Sequence, residues 1–301
     1  MNTTSDTRGP TFLCIGQQKA GTRWLYSNLH KQPDVWLPPV KEIRHFSKGG
    51  KDGVRRAFGF RSGIRMQIER FRNGATTFES AAAKRFSDRD AAFIPLWLRY
   101  LDEGRTHDLY RDLFSPAGGK ITGEFTPMYC GLSEPRVREI HDVVPKAKIV
   151  FLVRDPISRV WSQYNHFLRR RSVTKRNEFE DVNDAIELMR KAHSPELFEE
   201  FLGLTSLKRK TDAARTQRIW QGFYGPECVH TVNFDDIVQS PGTVLRQVTT
   251  FLGGSYDPSV KLVRNNKAYD PKIKVGDAER AVIEERFADD AAAFKAIFKL
   301  G

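Results

Sequence analysis

The chain has 301 residues, 40% of them hydrophobic and 29% charged, enough to bury the core of one globular domain. Lysine and arginine (49) exceed aspartate and glutamate (37) by 12, which predicts an anionic partner: a highly charged nucleotide, a polyanionic glycan, nucleic acid or an anionic membrane surface. The longest apolar runs, Phe12–Gly16 and Ile149–Val153, fall far short of the roughly 20 residues of a spanning helix, and the first ten residues are polar, so neither a membrane anchor nor a secretory signal is expected.

Residues 1–10 are expected to form a disordered tail and residues 11–301 a single domain, because no repeat or low-complexity linker divides them. Thr11–Gly16 predicts a buried strand, Gln17–Gly21 a loop and Thr22–His30 a helix. Residues 51–114 read as mostly helical, with a last stretch running from Asp102 to Phe114. Further strands are predicted at Ile121–Phe125, Lys148–Val153 and Cys228–Asn233. After the third, Asp155 is placed to cap a helix that has Pro156 in its first position. Ile157, Val160, Trp161, Tyr164, Phe167 and Leu168 form its core stripe, which leaves Arg159, Ser162, Gln163 and His166 on other faces. Arg169-Arg170-Arg171 reads as the solvated end of that helix. A further helix is predicted at Asp277–Phe287. Strands alternating with helices imply an α/β fold, with a central parallel sheet flanked by helices.

Three widely spaced cysteines, Cys14, Cys130 and Cys228, offer neither a disulfide framework nor a zinc site, and a reducing, cytoplasmic setting is expected.

The chemistry is concentrated at two junctions. Gly16-Gln17-Gln18-Lys19-Ala20-Gly21-Thr22-Arg23 follows a strand and opens a helix, where backbone N–H groups and the helix dipole favour an anion. The two glycines have the spacing of a nucleoside triphosphate loop, but Thr22-Arg23 replaces its Lys-Ser/Thr pair, and the lysine sits inside the loop at Lys19. The hydroxyl that would hold magnesium after that lysine is missing, so a phosphate site without a metal is expected. A lysine there can stabilise charge developing on a bridging oxygen as a bond to phosphate breaks. At the second junction, Arg154 ends the third strand at the sheet edge where α/β proteins bind ligands.

The segment from Leu13 to Leu25 resembles the 5′-phosphosulfate loop of sulfotransferases, nearest to the heparan-sulfate-type and bacterial carbohydrate members. Lys148–Tyr164, with its Arg154-Asp155-Pro156 and Ser162, resembles the 3′-phosphate segment of the same family. The resemblance implies a single P-loop-like three-layer domain that binds 3′-phosphoadenosine 5′-phosphosulfate. It assigns Lys19, Ala20, Gly21, Thr22 and Arg23 to the phosphosulfate, and Arg154 and Ser162 to the 3′-phosphate.

Lys41-Glu42-Ile43-Arg44-His45-Phe46 resembles the family's Glu-x-x-aromatic-Phe segment. That makes Glu42 the expected general base, with His45 as a further catalytic candidate and Arg44 as an acceptor contact. Gly123–Tyr129 resembles an acceptor-side segment. Glu124 there either supports catalysis or bonds structurally, and Thr126 is a candidate substrate contact. Phe125 stands where many heparan-type members have lysine, which argues against a heparan-like acceptor. Arg264 and Lys267, in a run ending at Pro271, resemble a late loop over the donor nucleotide, and Phe234–Ile237 resembles a structural turn.

The expected activity is transfer of a sulfuryl group to a hydroxyl or amine, on a carbohydrate by the family likeness. A magnesium-dependent kinase on a P-loop fold and a non-enzymatic polyanion- or nucleic-acid-binding protein are the alternatives. The missing Lys-Ser/Thr pair speaks against the first, and the lack of a nucleic-acid-binding module against the second.

Overall fold

Alternation of side chains along the strands decides the architecture. Strands β1 (Phe12–Gly16), β2 (Gly123–Phe125), β3 (Lys148–Val153) and β4 (Val229–Asn233) pair in parallel in the order β2-β1-β3-β4. Leu13 and Ile15 of β1 point to one face with Ile149, Phe151 and Val153 of β3. Phe12 and Cys14 point to the other with Val150 and Leu152. Both faces are therefore apolar and both are covered, as a parallel sheet requires.

The structure, a computed structural model, describes residues 8–47, 69–70, 73, 87–172, 182–263 and 272–300. Helices α1 (Thr22–Leu29), α10 (Phe234–Gln239) and α11 (Pro241–Leu252) cover one face through Trp24, Leu25, Leu29, Ile237, Val244 and Val248. The opposite face is covered by α2 (Asp88–Asp102), α3 (His107–Asp112), α4 (Glu134–Val143), α9 (Ala213–Tyr224) and α13 (Ala288–Phe298). A third cluster packs α5 (Pro156–Ser172) against α6 (Val182–Ala192), α7 (Pro195–Leu202), α8 (Thr205–Thr211) and α12 (Asp277–Arg286), around Val160, Tyr164, Leu168, Phe198 and Leu207.

The α/β architecture agrees with the sequence reading, and four details differ from it. Gly9 and Pro10 are buried and Arg8 lies 3.8 Å from Asp112, so packed chain begins before residue 11. Ile121 only bridges Val35, and β2 starts at Gly123. Cys228 belongs to a 3-10 turn, Pro226–Cys228, ahead of β4. Asp102 ends α2, which Ser87 and Asp90 start with reciprocal capping bonds, and Thr106 starts α3 afresh.

The helix after β3 starts as expected: the Ser158 N–H donates to Asp155 Oδ2 at 2.8 Å and the Arg159 N–H to the Asp155 carbonyl at 2.9 Å. Its three terminal arginines lie in its last turn. Strand order reverses between β1 and β3, which opens a crevice beyond their carboxyl ends. Both sequence junctions open into that crevice.

Candidate active site

The loop after β1 is fixed to its neighbour strand by Gln17, whose N–H donates to the Leu152 carbonyl at 2.6 Å. Its buried side chain joins three elements. Nε2 donates to the carbonyls of Lys210 and Thr211, each at 3.1 Å, and Oε1 accepts from the Arg154 N–H at 3.3 Å. Lys19 then turns through the left-handed region (φ 70°), and Gly21 does so again (φ 90°) as the N-cap of α1. A Cβ on Gly21 would stand 3.0 Å from Ile237 Cδ1. No side chain caps α1, so its first N–H groups face the loop without a side-chain acceptor. Ala20 and Thr22 are buried, Lys19 half-buried and Arg23 exposed.

Arg154 closes this loop from the β3 side. One guanidinium nitrogen donates to the Lys19 carbonyl at 3.2 Å, and the group lies 4.5 Å over the Phe234 ring. Phe234, read as structural, is therefore a platform for a site arginine. Burial, the largest influence, depresses the Arg154 pKa, opposed by Asp235 and Asp155. Ser162 is buried on α5, and no hydrogen bond joins it to Arg154 among the described residues. Arg264 and Lys267 lie outside the described residues.

The second half of the site is the turn from Lys41 to Phe46. Glu42 and Arg44 both adopt left-handed backbone (φ 64° and 59°). With Lys19 they make three of the four non-glycine residues at positive φ among the described residues, the fourth being Lys299 beyond the end of α13. Such conformations cost of order 1 kcal/mol or more each and concentrate at functional sites. Glu42 accepts from Arg44 through both Nε, at 3.1 Å, and NH2, and from Lys41 Nζ at 3.4 Å. Lys41 is buried, and desolvation depresses its pKa against the pull of Glu42.

Glu124 holds this turn from behind. It is buried and accepts from the Arg44 N–H (2.9 Å), Tyr110 Oη (2.6 Å), Tyr129 Oη (2.9 Å) and Thr126 Oγ1. Burial raises its pKa and these four bonds oppose the rise, the pattern of a structural carboxylate. Thr126 is fully buried and also receives the Arg44 N–H at 3.3 Å, so both residues serve the turn.

His45, a catalytic candidate by sequence, has both ring nitrogens engaged. Nδ1 lies 2.9 Å from Tyr100 Oη and Nε2 2.9 Å from His107 Nδ1, and the ring stacks on Tyr110 at 4.3 Å. Burial, then Arg105 and His107, push its pKa down to about 3. It is a neutral packed histidine that helps position the turn. Arg105 donates to the carbonyls of Arg44 and His45.

Arg159 is the other correction. Left off the core stripe of α5 in the sequence reading, it is fully buried and donates through NH2 to Thr211 Oγ1. The sequence reading also passed over Gln17, Lys41 and Arg105. Lys41 could have been noticed beside Glu42, whereas nothing in sequence marks Gln17 or Arg105.

A loop with an open helix start and an internal lysine thus follows β1, and a carboxylate-bearing strained turn is held on Glu124 of the neighbouring strand β2. A family model described as the sulfotransferase family matches residues 10–258, which takes in both junctions and both turns. The chain belongs to that family. It is 24% identical over 192 residues to carbohydrate sulfotransferase 15 of Rattus norvegicus, a match covering 60% of this chain and 31% of the relative. The Mus musculus counterpart is 23% identical over the same length. Among solved structures, a sulfotransferase from Alicyclobacillus acidocaldarius superposes with TM-score 0.54 at 20% identity, covering 97% of this chain and 96% of that one. A sulfotransferase domain from the curacin biosynthetic pathway does so with TM-score 0.52 at 12% identity, covering 93% and 98%. These two likenesses establish a shared sulfotransferase fold. No helix among the described residues is long and apolar enough to cross a membrane.

Proposed function

We propose that this sulfotransferase takes 3′-phosphoadenosine 5′-phosphosulfate as donor and a carbohydrate hydroxyl or amine as acceptor. The observation that carries the reading is that left-handed non-glycine backbone concentrates in two segments, Lys19 in the donor loop after β1, and Glu42 and Arg44 in the turn held by Glu124 of the neighbouring strand β2. The backbone of Ala20, Gly21 and Thr22 at the start of α1, with Lys19 and Arg23, supplies donors for the phosphosulfate. Arg154 and Ser162, on the next junction, are assigned to the 3′-phosphate, and Arg264 and Lys267 to the outer side of the nucleotide.

In this mechanism Glu42 removes the acceptor proton as the acceptor oxygen or nitrogen attacks sulfur. The bond from sulfur to the bridging oxygen breaks, and Lys19 stabilises the charge left on the departing phosphate. Positioning and charge stabilisation carry the rate, as in phosphoryl transfer. Carbohydrate as acceptor class rests on the named activity of the rat and mouse relatives. A cytoplasmic setting belongs to the same proposal and draws on the three free thiols, two of them buried.

Calorimetric titration with adenosine 3′,5′-bisphosphate tests the donor assignment, with ATP–magnesium and adenosine 5′-phosphate as controls. Binding that needs the 3′-phosphate and ignores magnesium is expected. Preference for ATP–magnesium would instead return the chain to kinase chemistry.

A further inference from the structure

A row of hydrogen bonds runs from the Glu42 turn out to the protein surface. Arg105, between α2 and α3, donates through NH2 to the carbonyls of Arg44 and His45, the latter at 2.7 Å, and through Nε to Tyr100 Oη at 3.2 Å. Tyr100 Oη lies 2.9 Å from His45 Nδ1, and His45 Nε2 lies 2.9 Å from Nδ1 of His107, the first residue of α3. Tyr100 and His45 are buried, whereas His107 is exposed.

The direction of these bonds follows from their ends. A guanidinium only donates, so Tyr100 Oη accepts from Arg105. The hydroxyl hydrogen of Tyr100 then goes to His45 Nδ1, and neutral His45 keeps its own hydrogen on Nε2, donated to His107 Nδ1. In that arrangement each of these hydrogens has an acceptor. Protonated His107 carries hydrogen on both ring nitrogens, so its Nδ1 must donate to His45 Nε2. His45, whose pKa burial pushes down to about 3, stays neutral, moves its hydrogen to Nδ1 and donates to Tyr100 Oη. The Tyr100 hydroxyl hydrogen thereby loses the acceptor it had, in a buried aromatic setting stacked on Trp97. Such a loss is costly away from water and weakens the bonds linked to it.

The charged and titratable groups around the row come from several elements. Arg105 and His107 act on His45, and Arg105 and Glu124 of β2 act on Tyr100. Asp108, beside His107, pairs with Arg111, and Arg44 of the turn pairs with Glu42. We infer that His107 is a positioning residue for the Glu42 turn, acting through His45 and Tyr100 on Arg105, so that the turn is held while His107 is neutral and loosened when it is protonated. The inference rests on the proposed function only in taking Glu42 as the base that the turn presents.

The test follows the full chain, isotope-labelled at its histidine ring and backbone nitrogens, by nuclear magnetic resonance. It is titrated from about pH 8 to about pH 5, the range in which imidazole changes charge. At the alkaline end His45 is expected to carry hydrogen on Nε2 alone. As His107 gains its proton, the His45 hydrogen should move to Nδ1 with the same midpoint. The signal of the Arg44 N–H, which donates to Glu124, should shift in step. His107→Asn offers an amide oxygen in place of Nδ1 and takes up no proton, so both changes should be lost in that variant. A His45 that keeps one tautomer throughout, or already holds hydrogen on Nδ1 at the alkaline end, would overturn the inference. So would an Arg44 signal that ignores the His107 midpoint, the same Arg44 shift in His107→Asn, or no protonation of His107 in this range. The measurement involves neither donor nor acceptor. Full turnover in Glu42→Gln would remove the base from the mechanism and leave the His45 tautomers as measured, so the two failures are told apart.

Discussion

At the scale of single residues, the site is built from side chains held where they would not settle on their own. Lys19, Glu42 and Arg44 occupy left-handed backbone that costs free energy in any L-residue with a Cβ. The cost is offset by bonds that leave the turn little choice: Glu124 and Thr126 hold the Arg44 N–H, and Arg105 holds the next two carbonyls. Lys19→Ala and Glu42→Gln are each expected to abolish sulfuryl transfer, lowering kcat at least about a hundredfold while the thermal midpoint changes little. Near-wild-type turnover in either variant would remove that residue from the mechanism.

His45 makes a prediction of a different kind. Its folded pKa, about 3, lies below the unfolded value of 6.5. Between those values the unfolded chain binds the proton and the folded chain does not, so stability is complete above pH 6.5 and falls with acidification. The slope approaches about 1.4 kcal/mol per pH unit. Asp290, raised to about 6, and Glu124, also raised, act in the opposite sense because their folded forms keep the proton longer. The His45 contribution is therefore read as a difference. Chemical denaturation from pH 7 to pH 4 should show a steeper loss in the wild type than in His45→Gln, and equal slopes would exclude the buried neutral state.

At the scale of elements, the two strand–helix junctions act as one unit because Gln17 binds both. Its amide reaches the end of α8 on one side and the Arg154 N–H on the other, and Arg154 returns a bond to the Lys19 carbonyl. The spacing between the two junctions is thereby set by hydrogen bonds within the protein. Arg154→Ala removes a charged donor from the proposed 3′-phosphate site and should weaken adenosine 3′,5′-bisphosphate binding about tenfold to a hundredfold. Affinity for adenosine 5′-phosphate should change much less. Parallel losses for both nucleotides in calorimetry would contradict the assignment and leave Arg154 a strut for the loop.

At the scale of the whole molecule, the crevice exists because the chain passes from β2 across β1 to β3. Adjacent strands then deliver the Gln17–Gly21 loop and Arg154 to one edge. Both loops are anchored to a sheet whose two faces are buried, so a ligand that bridges them should stabilise the entire domain. Saturating adenosine 3′,5′-bisphosphate at about 100 times its Kd is expected to add about 2.7 kcal/mol to unfolding, seen as a rise in the thermal midpoint. The same concentration of ATP–magnesium should give a much smaller rise, and equal shifts would mean that the crevice does not read the 3′-phosphate.

The strands, the helix start at Asp155-Pro156 and the loop between β1 and α1 were legible in sequence because each is written in contiguous residues. Apolar alternation, a cap followed by proline, and glycines six positions apart by inclusive count are local patterns with local causes. Glu42 and Lys19 could be singled out for the same reason, since each stands in a short segment with its own chemistry. What sequence did not reveal depends on partners far along the chain. Arg159 was left off the core stripe because its helix spacing says so, yet it is buried and bonds Thr211, 52 residues away. His45 carries the chemistry of a catalyst in isolation, and only Tyr100 and His107 turn it into a packing residue. Glu124 stood between two roles until Tyr110, Tyr129 and the Arg44 N–H filled its lone pairs. Local sequence thus determined which elements form and which groups are chemically able. Tertiary structure alone decided which of those groups are buried and bonded within the protein, because burial and hydrogen bonding are properties of neighbours that the chain brings together only when it folds.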